Sequence, residues 1–82
     1  MVKFHQHAID RIRERGATRS EVVETVETGE VFPAKYDRTG FRRNFSFNGL
    51  WQGKHYASKQ VEAYAVQEGD DWTVITVITR YF

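Results

Sequence analysis

The chain has 82 residues, 40% of them hydrophobic and 28% charged, with a formal net charge of +1. That length leaves room for one hydrophobic core, so a single domain over 1–82 is expected, and the composition excludes a disordered tail. No apolar run approaches the roughly 20 residues of a membrane span, and the lack of cysteine excludes a disulfide framework, a thiol nucleophile and a thiolate zinc site.

The opening Met1 to His7 lacks the apolar region of a secretory signal, which makes a cytoplasmic location the expectation. Phe4, His5, Ala8, Ile9 and Ile12 follow the rhythm of one helix face, with Gly16 as its C-cap. Thr18-Arg19-Ser20-Glu21 has the form of a capping box and opens a second helix. Its apolar side is Val22, Val23 and Val26, and Gly29 ends it. Glu21, Glu24 and Glu27 make the outer side acidic.

The second half reads as strands. Glu30-Val31-Phe32 begins an extended segment that Pro33 marks as an edge. Asp37 to Gly40 reads as a turn. Phe41, Arg43, Phe45 and Phe47 then alternate with polar residues. Asn48-Gly49 reads as a second turn, followed by a loop through Gly53 to about Ser58. Lys59 to Gln67 is a less regular strand, and Glu68 to Asp71 is a hairpin turn. Trp72 to Phe82 is apolar on both faces through Val74 to Thr79, as an interior strand would be. The expected class is α+β: two N-terminal helices packed on a small antiparallel sheet of three to four strands.

Charge is unevenly spread. Ser20 to Glu30 holds four glutamates and no cation, so the remaining chain carries twelve basic against seven acidic side chains. The stretch Lys35 to Lys59 combines Lys35, Arg38, Arg42, Arg43, Lys54 and Lys59 with Tyr36, Phe41, Phe45, Phe47, Trp51 and Tyr56. Cations that neutralise phosphates beside rings that stack on bases suit single-stranded nucleic acid. The plainer alternative is a set of core phenylalanines and a solvated sheet face. His7, Arg11 and Arg15 follow an i, i+4, i+8 spacing and form one helical ridge. That ridge could hold an anion, or its arginines could pair with Asp10, Glu14 and the second-helix glutamates. Arg80 and Tyr81 alternate at the end of the last strand, offering a phosphate contact and a proton donor. His5 and His7 point to nearly opposite sides of a helix, so no metal site and no cofactor are expected.

His7-Ala8, Arg11-Ile12 and Arg15-Gly16 resemble the H-A-x-x-R-h-x-x-R-G opening of a family of small bacterial domains of unknown function. Thr18 to Val23 resembles that family's second helix, and Val74 to Thr79 its final strand. The resemblance implies a RelE/ParE-like fold related to the BrnT toxins. It also implies a toxin-type protein acting on RNA or the ribosome, with an antitoxin partner. A metal-independent endoribonuclease would use the RNA 2′-hydroxyl as nucleophile and would need a base, an acid and cations. His7, Tyr81 or His55 would then move the proton. Arg11, Arg15, Arg42, Arg43, Lys54, Lys59 and Arg80 would meet phosphate, and Trp51 or Tyr56 would stack on a base. The alternatives are a non-catalytic nucleic-acid or ribosome-binding module and a protein-interaction subunit. The thin core expected of this length makes a homodimer a further expectation.

Overall fold

The computed structural model describes the whole chain, residues 1–82. Its elements run β1 (Val2–Phe4), α1 (Gln6–Arg15), α2 (Arg19–Thr28), β2 (Glu30–Pro33), β3 (Thr39–Trp51), β4 (Lys54–Glu68) and β5 (Asp71–Tyr81). The strands form one sheet of five in the order β1-β5-β4-β3-β2. The α+β class holds, but the sheet is mixed and larger than the expected three or four antiparallel strands. The extra strand is β1, which pairs parallel with β5, Val2 opposite Trp72 and Phe4 opposite Val74. Three residues are too few to show a period of two. Phe4 and His5 therefore read as the first turn of α1. In the structure Phe4 belongs to β1, and His5 is the N-cap of α1, its Nδ1 accepting the His7 backbone N–H at 3.2 Å.

The second correction concerns the middle of the chain. Asn48-Gly49 is not a turn, and no loop follows it. The register of β3 against β4 shifts between Ser46 and Gly49, so the dipeptide is a bulge inside β3, with Asn48 at φ 46. The reversal comes at Gln52-Gly53, where both residues have positive φ, 50 and 81. A bulge and a tight turn both use a left-handed residue, which Asn tolerates, so Asn48-Gly49 reads as the turn although the turn falls at Gln52-Gly53. The first reversal is also displaced: its positive-φ residues are Tyr36 and Asp37, and Thr39-Gly40 already belongs to β3.

The end of α1 and both ends of α2 match the sequence. Gly16 adopts φ 73 at the C-cap of α1, and its N–H donates to the Ile12 carbonyl. Thr18 Oγ1 accepts from Glu21 N at 3.1 Å, and Glu21 Oε1 accepts from Thr18 N at 3.0 Å. This box satisfies two N–H groups that a helix start otherwise leaves unpaired.

The helices lie on one face of the sheet. Ala8, Ile12, Val22 and Val26 pack there against Phe41, Val61, Ala63, Ala65, Val74 and Val77. Alternation along β4 sends Val61 and Ala63 toward the helices and Gln60, Glu62 and Tyr64 to the opposite face. A register shift at Tyr64/Ala65 lets Val74 and Val77, three residues apart on β5, both reach the covered side.

The C-cap of α1 is also a packing constraint. A Cβ at Gly16 would overlap the Trp51 ring and lie 2.6 Å from the Tyr81 hydroxyl, with φ already in the region L side chains avoid. Gly16→Ala should destabilise the fold by roughly 2–4 kcal/mol, combining the left-handed penalty with overpacking. Urea denaturation of the variant checks this, and a loss below about 0.5 kcal/mol would show that Trp51 is not packed on the cap.

Candidate functional site

The cations divide between the two sheet faces, and most of those on the covered face are already engaged. Arg15 Nη1 donates to the Val77 carbonyl at 2.6 Å. The Arg15 carbonyl accepts in turn from Thr79 Oγ1 at 2.9 Å and from the Tyr81 hydroxyl at 2.8 Å. Lys59, with a side chain only 6% exposed, donates to the Gly16 carbonyl at 3.1 Å and to Glu21 Oε1 at 2.9 Å. These bonds satisfy carbonyls left over at the end of α1. Arg43 reaches α2, donating to Thr28 Oγ1 at 2.7 Å and pairing with Glu24 at 3.5 Å.

The aromatic residues of the hairpin tip belong to the same side. Trp51 stacks on Tyr81 with ring centroids 4.9 Å apart. Phe47 and Tyr56 flank Tyr81 at 5.1 and 5.7 Å, and Lys54 lies over the Tyr56 ring. This cluster closes the β3–β4 ribbon onto the end of α1. Burial pushes the Tyr81 phenol above its ordinary range.

The three members of the helical ridge part company. Arg11 pairs with Glu14 on its own helix, Arg15 docks on β5, and His7 is exposed at the start of α1. His55 lies on β4 opposite Leu50, near the hairpin tip. Ten residues of β4 separate it from Ala65, the partner of Val74, to whose carbonyl His5 N donates. At the ordinary strand rise that is about 30 Å, so His7 and His55 cannot serve one reacting atom.

The helix-free face carries a different set. Glu62 is 4% exposed although no helix covers it. Its Oε1 accepts from the Tyr64 hydroxyl at 3.2 Å and its Oε2 from Arg80 Nε at 3.3 Å. The Arg80 side chain is 63% exposed, so its outer nitrogens meet solvent while its inner one covers the carboxylate. Arg42, directly across from Glu62 on β3, bonds Glu30 at 2.9 Å and lies over the Phe32 ring at 4.6 Å. Its hydrogen bond and charge hold the Glu30 carboxyl below the usual range. Phe32 meets Tyr64 edge to face at 5.9 Å. Burial pushes the Tyr64 phenol up, the Glu62 charge and hydrogen bond add to that, and Arg80 and Arg42 oppose it.

Beside this network lies a cavity of about 410 Å³ between Phe32, Tyr64, Thr76 and Ile78, bordered by the turn that carries Lys35, Tyr36 and Arg38. Gly40 makes it possible, because a Cβ there would overlap the Phe32 ring. A second opening of about 520 Å³ lies between His5, His7, Arg38, Ile75 and Thr76. Arg38 and Thr76 border both, so the two openings are neighbours.

The structure thus gathers Arg42 and Arg80, from the sequence candidates, around Glu62 and Tyr64, which the sequence reading passed over. Their signal was the alternation of Gln60, Glu62 and Tyr64 with Val61, Ala63 and Ala65: a strand buried on one side and polar on the other. No three His, Asp or Glu side chains cluster as metal ligands, and no helix is long and apolar enough to cross a membrane.

Residues 4–79 match the family described as Domain of unknown function (DUF4258), and the chain belongs to that family. No curated protein and no solved structure matches it.

The raised phenols give a titration test. In the folded chain Tyr64 and Tyr81 keep their protons above the ordinary value near 10, while the unfolded chain releases them there. Stability contributed by these protons is therefore complete below pH 10 and falls as pH rises through the folded values. Glu62→Gln should bring Tyr64 ionisation down toward the ordinary value, with burial retaining part of the rise. Ultraviolet titration against a Tyr64→Phe control reads this. Superimposable curves for Glu62→Gln and wild type would show that the carboxylate does not act on the phenol.

Proposed function

We propose that this protein acts on RNA through the helix-free sheet face, as a toxin-type, metal-independent endoribonuclease. One observation carries the reading: Arg80 and Arg42 flank a buried carboxylate hydrogen-bonded to a phenol, on a sheet face that no helix covers. The opening motif resembles a family of small bacterial domains, and the RelE/ParE-like, BrnT-related toxin fold which that resemblance implies supports the reading as well.

The chemistry follows from the four side chains. The outer nitrogens of Arg80 and the guanidinium of Arg42 take the non-bridging phosphate oxygens, where charge builds in the transition state. As Arg80 turns onto phosphate it uncovers Glu62, whose carboxylate accepts the proton of the 2′-hydroxyl. The 2′-oxygen forms a bond to phosphorus, and the bond to the 5′-oxygen breaks. The Tyr64 phenol, which like any tyrosine carries its proton at neutral pH, gives it to the leaving oxygen. The products are a 2′,3′-cyclic phosphate and a 5′-hydroxyl end. A proton passing from Glu62 to Tyr64 along their hydrogen bond restores the starting state.

This assignment moves proton transfer away from His7, Tyr81 and His55. The Tyr81 phenol is donated to the Arg15 carbonyl on the other face. Thr76, which borders the His7 opening, is four residues from Arg80 on β5, about 13 Å at the strand rise. His7 and Arg38 there suit the phosphates of neighbouring nucleotides. An antitoxin that neutralises the protein would cover this face with acidic side chains.

Tightly induced expression should arrest bacterial growth, and purified protein should cleave single-stranded RNA in the presence of a chelator. Tyr64→Phe and Glu62→Gln should each slow cleavage about 10²–10⁴-fold while RNA still binds. Arg80→Ala should weaken binding and flatten its salt dependence by about 0.7 in the log–log slope. Salt-dependent RNA binding by wild type with no cleavage would replace the ribonuclease reading with a non-catalytic binding module. Cleavage unaffected by Glu62→Gln and Tyr64→Phe would remove both from the reaction.

A further inference from the structure

We infer that the cavity between Phe32, Tyr64 and Ile78 is a base-binding subsite that takes one unstacked nucleobase of the RNA, with the Tyr36 ring closing over it. The inference rests on the RNA reading above and adds what that reading leaves open, the recognition of a base beside the reacting phosphate.

Size is the first argument. At about 410 Å³ the cavity is at the small end of ligand sites, enough for a base with part of its sugar. The walls are the second. Phe32 and Tyr64 stand nearly perpendicular, 87° between their planes, so a base can stack on one ring while meeting the edge of the other. Ring–base stacking accepts any base, because every base has a π-face. Position is the third argument. Tyr64 belongs to both places: its ring walls the cavity, and its hydroxyl donates to Glu62. Arg80 bonds the same Glu62 carboxylate, which connects the base seat to the proposed phosphate contact. Lys35 and Arg38 border the cavity from the turn side, and neither forms an ion pair within the chain, so both are free to meet the sugar–phosphate backbone as it leaves.

The turn adds a fourth observation. Tyr36 and Asp37 both have positive φ, 62 and 58, in the region that favours glycine. Tyr36 is 84% exposed, a large ring with almost no packing in the free protein. Folding alone would be served better by glycine at this position. Strain of this kind persists at sites where a ligand uses the side chain, and here the exposed ring borders the cavity.

The test uses the whole chain and short single-stranded oligoribonucleotides with 2′-O-methyl groups, which remove the nucleophile so that binding is read without cleavage. One abasic position is walked along the strand, and affinity is measured by fluorescence anisotropy. Wild type should lose about tenfold in affinity when the abasic site falls at one particular position and about twofold or less elsewhere. Tyr36→Gly should raise the thermal midpoint, because the strain is relieved. It should also reduce the abasic penalty at that position to about threefold or less. Wild type that binds the intact strand but is indifferent to every abasic position overturns the subsite and leaves the RNA reading standing. An abasic penalty unchanged by Tyr36→Gly places the base elsewhere and overturns the subsite as well. Failure to bind any oligonucleotide overturns the RNA reading, and this inference with it.

Discussion

Two helices of ten residues each can cover only one face of a five-stranded sheet. Everything else in the molecule is arranged around that shortage of cover. The covered face concentrates all ten residues of the apolar core. Its strands use small side chains at Ala63 and Ala65, both fully buried in that core. The uncovered face has to be polar enough for water yet well enough bonded to hold its strands together. It meets both demands with cross-strand pairs, Arg42 with Glu30, Gln60 with Asn44 and Glu62 with Arg80, and with the Glu62–Tyr64 bond along β4. Pairs of this kind are the ordinary means of stabilising an exposed sheet surface. Burying the Glu62 carboxylate within them is costly unless its oxygens are bonded, and each oxygen has a partner.

The cations acquire meaning only once the faces are separated. By composition, Arg15, Arg43 and Lys59 are indistinguishable from Arg42 and Arg80. In the fold, the first three tie the helices to the sheet: Arg15 of α1 donates to the Val77 carbonyl, Lys59 of β4 to the Gly16 carbonyl, and Arg43 of β3 to the Thr28 hydroxyl. The basic and aromatic stretch Lys35 to Lys59 thus serves two ends. Its later part, from Arg43 through Trp51 and Tyr56 to Lys59, ties the long hairpin to α1 and α2. Its beginning, from Lys35 to Arg42, borders the cavity of the helix-free face. In the proposed RNA reading, electrostatic attraction of the strand would fall to the Lys35 to Arg42 part.

What was legible in the sequence follows from how local each signal is. The Thr18–Glu21 capping box, the Gly16 and Gly29 ends and the edge character of Pro33 depend on a few neighbouring residues, and the structure has them where the sequence puts them. Strand β1 was invisible because three residues carry no period, and its partner lies some seventy positions away. The hairpin tip is not legible because Asn48-Gly49 is the stronger turn dipeptide, and only the register against β4 makes it part of a bulge and leaves the turn to Gln52-Gly53. The candidate site suffered similarly. Arg42 and Arg80 stood out as cations, and the opposed directions of Arg80 and Tyr81 follow from strand alternation. Glu62 and Tyr64 did not stand out, because a carboxylate and a phenol two apart in a strand are unremarkable until the opposite side of that strand is known to be core.

The central claim is that the helix-free face is the working surface. Side-chain NMR during titration with single-stranded RNA tests it most directly, since neighbouring residues on β5 report on opposite faces. The account predicts shifts at the Ile78 methyls and the Arg80 Nε–H, with the Val61 and Val77 methyls and the Arg15 guanidinium unmoved. Shifts confined to Val77, Arg15 and the Trp51 indole, with Ile78 and Arg80 silent, would contradict it.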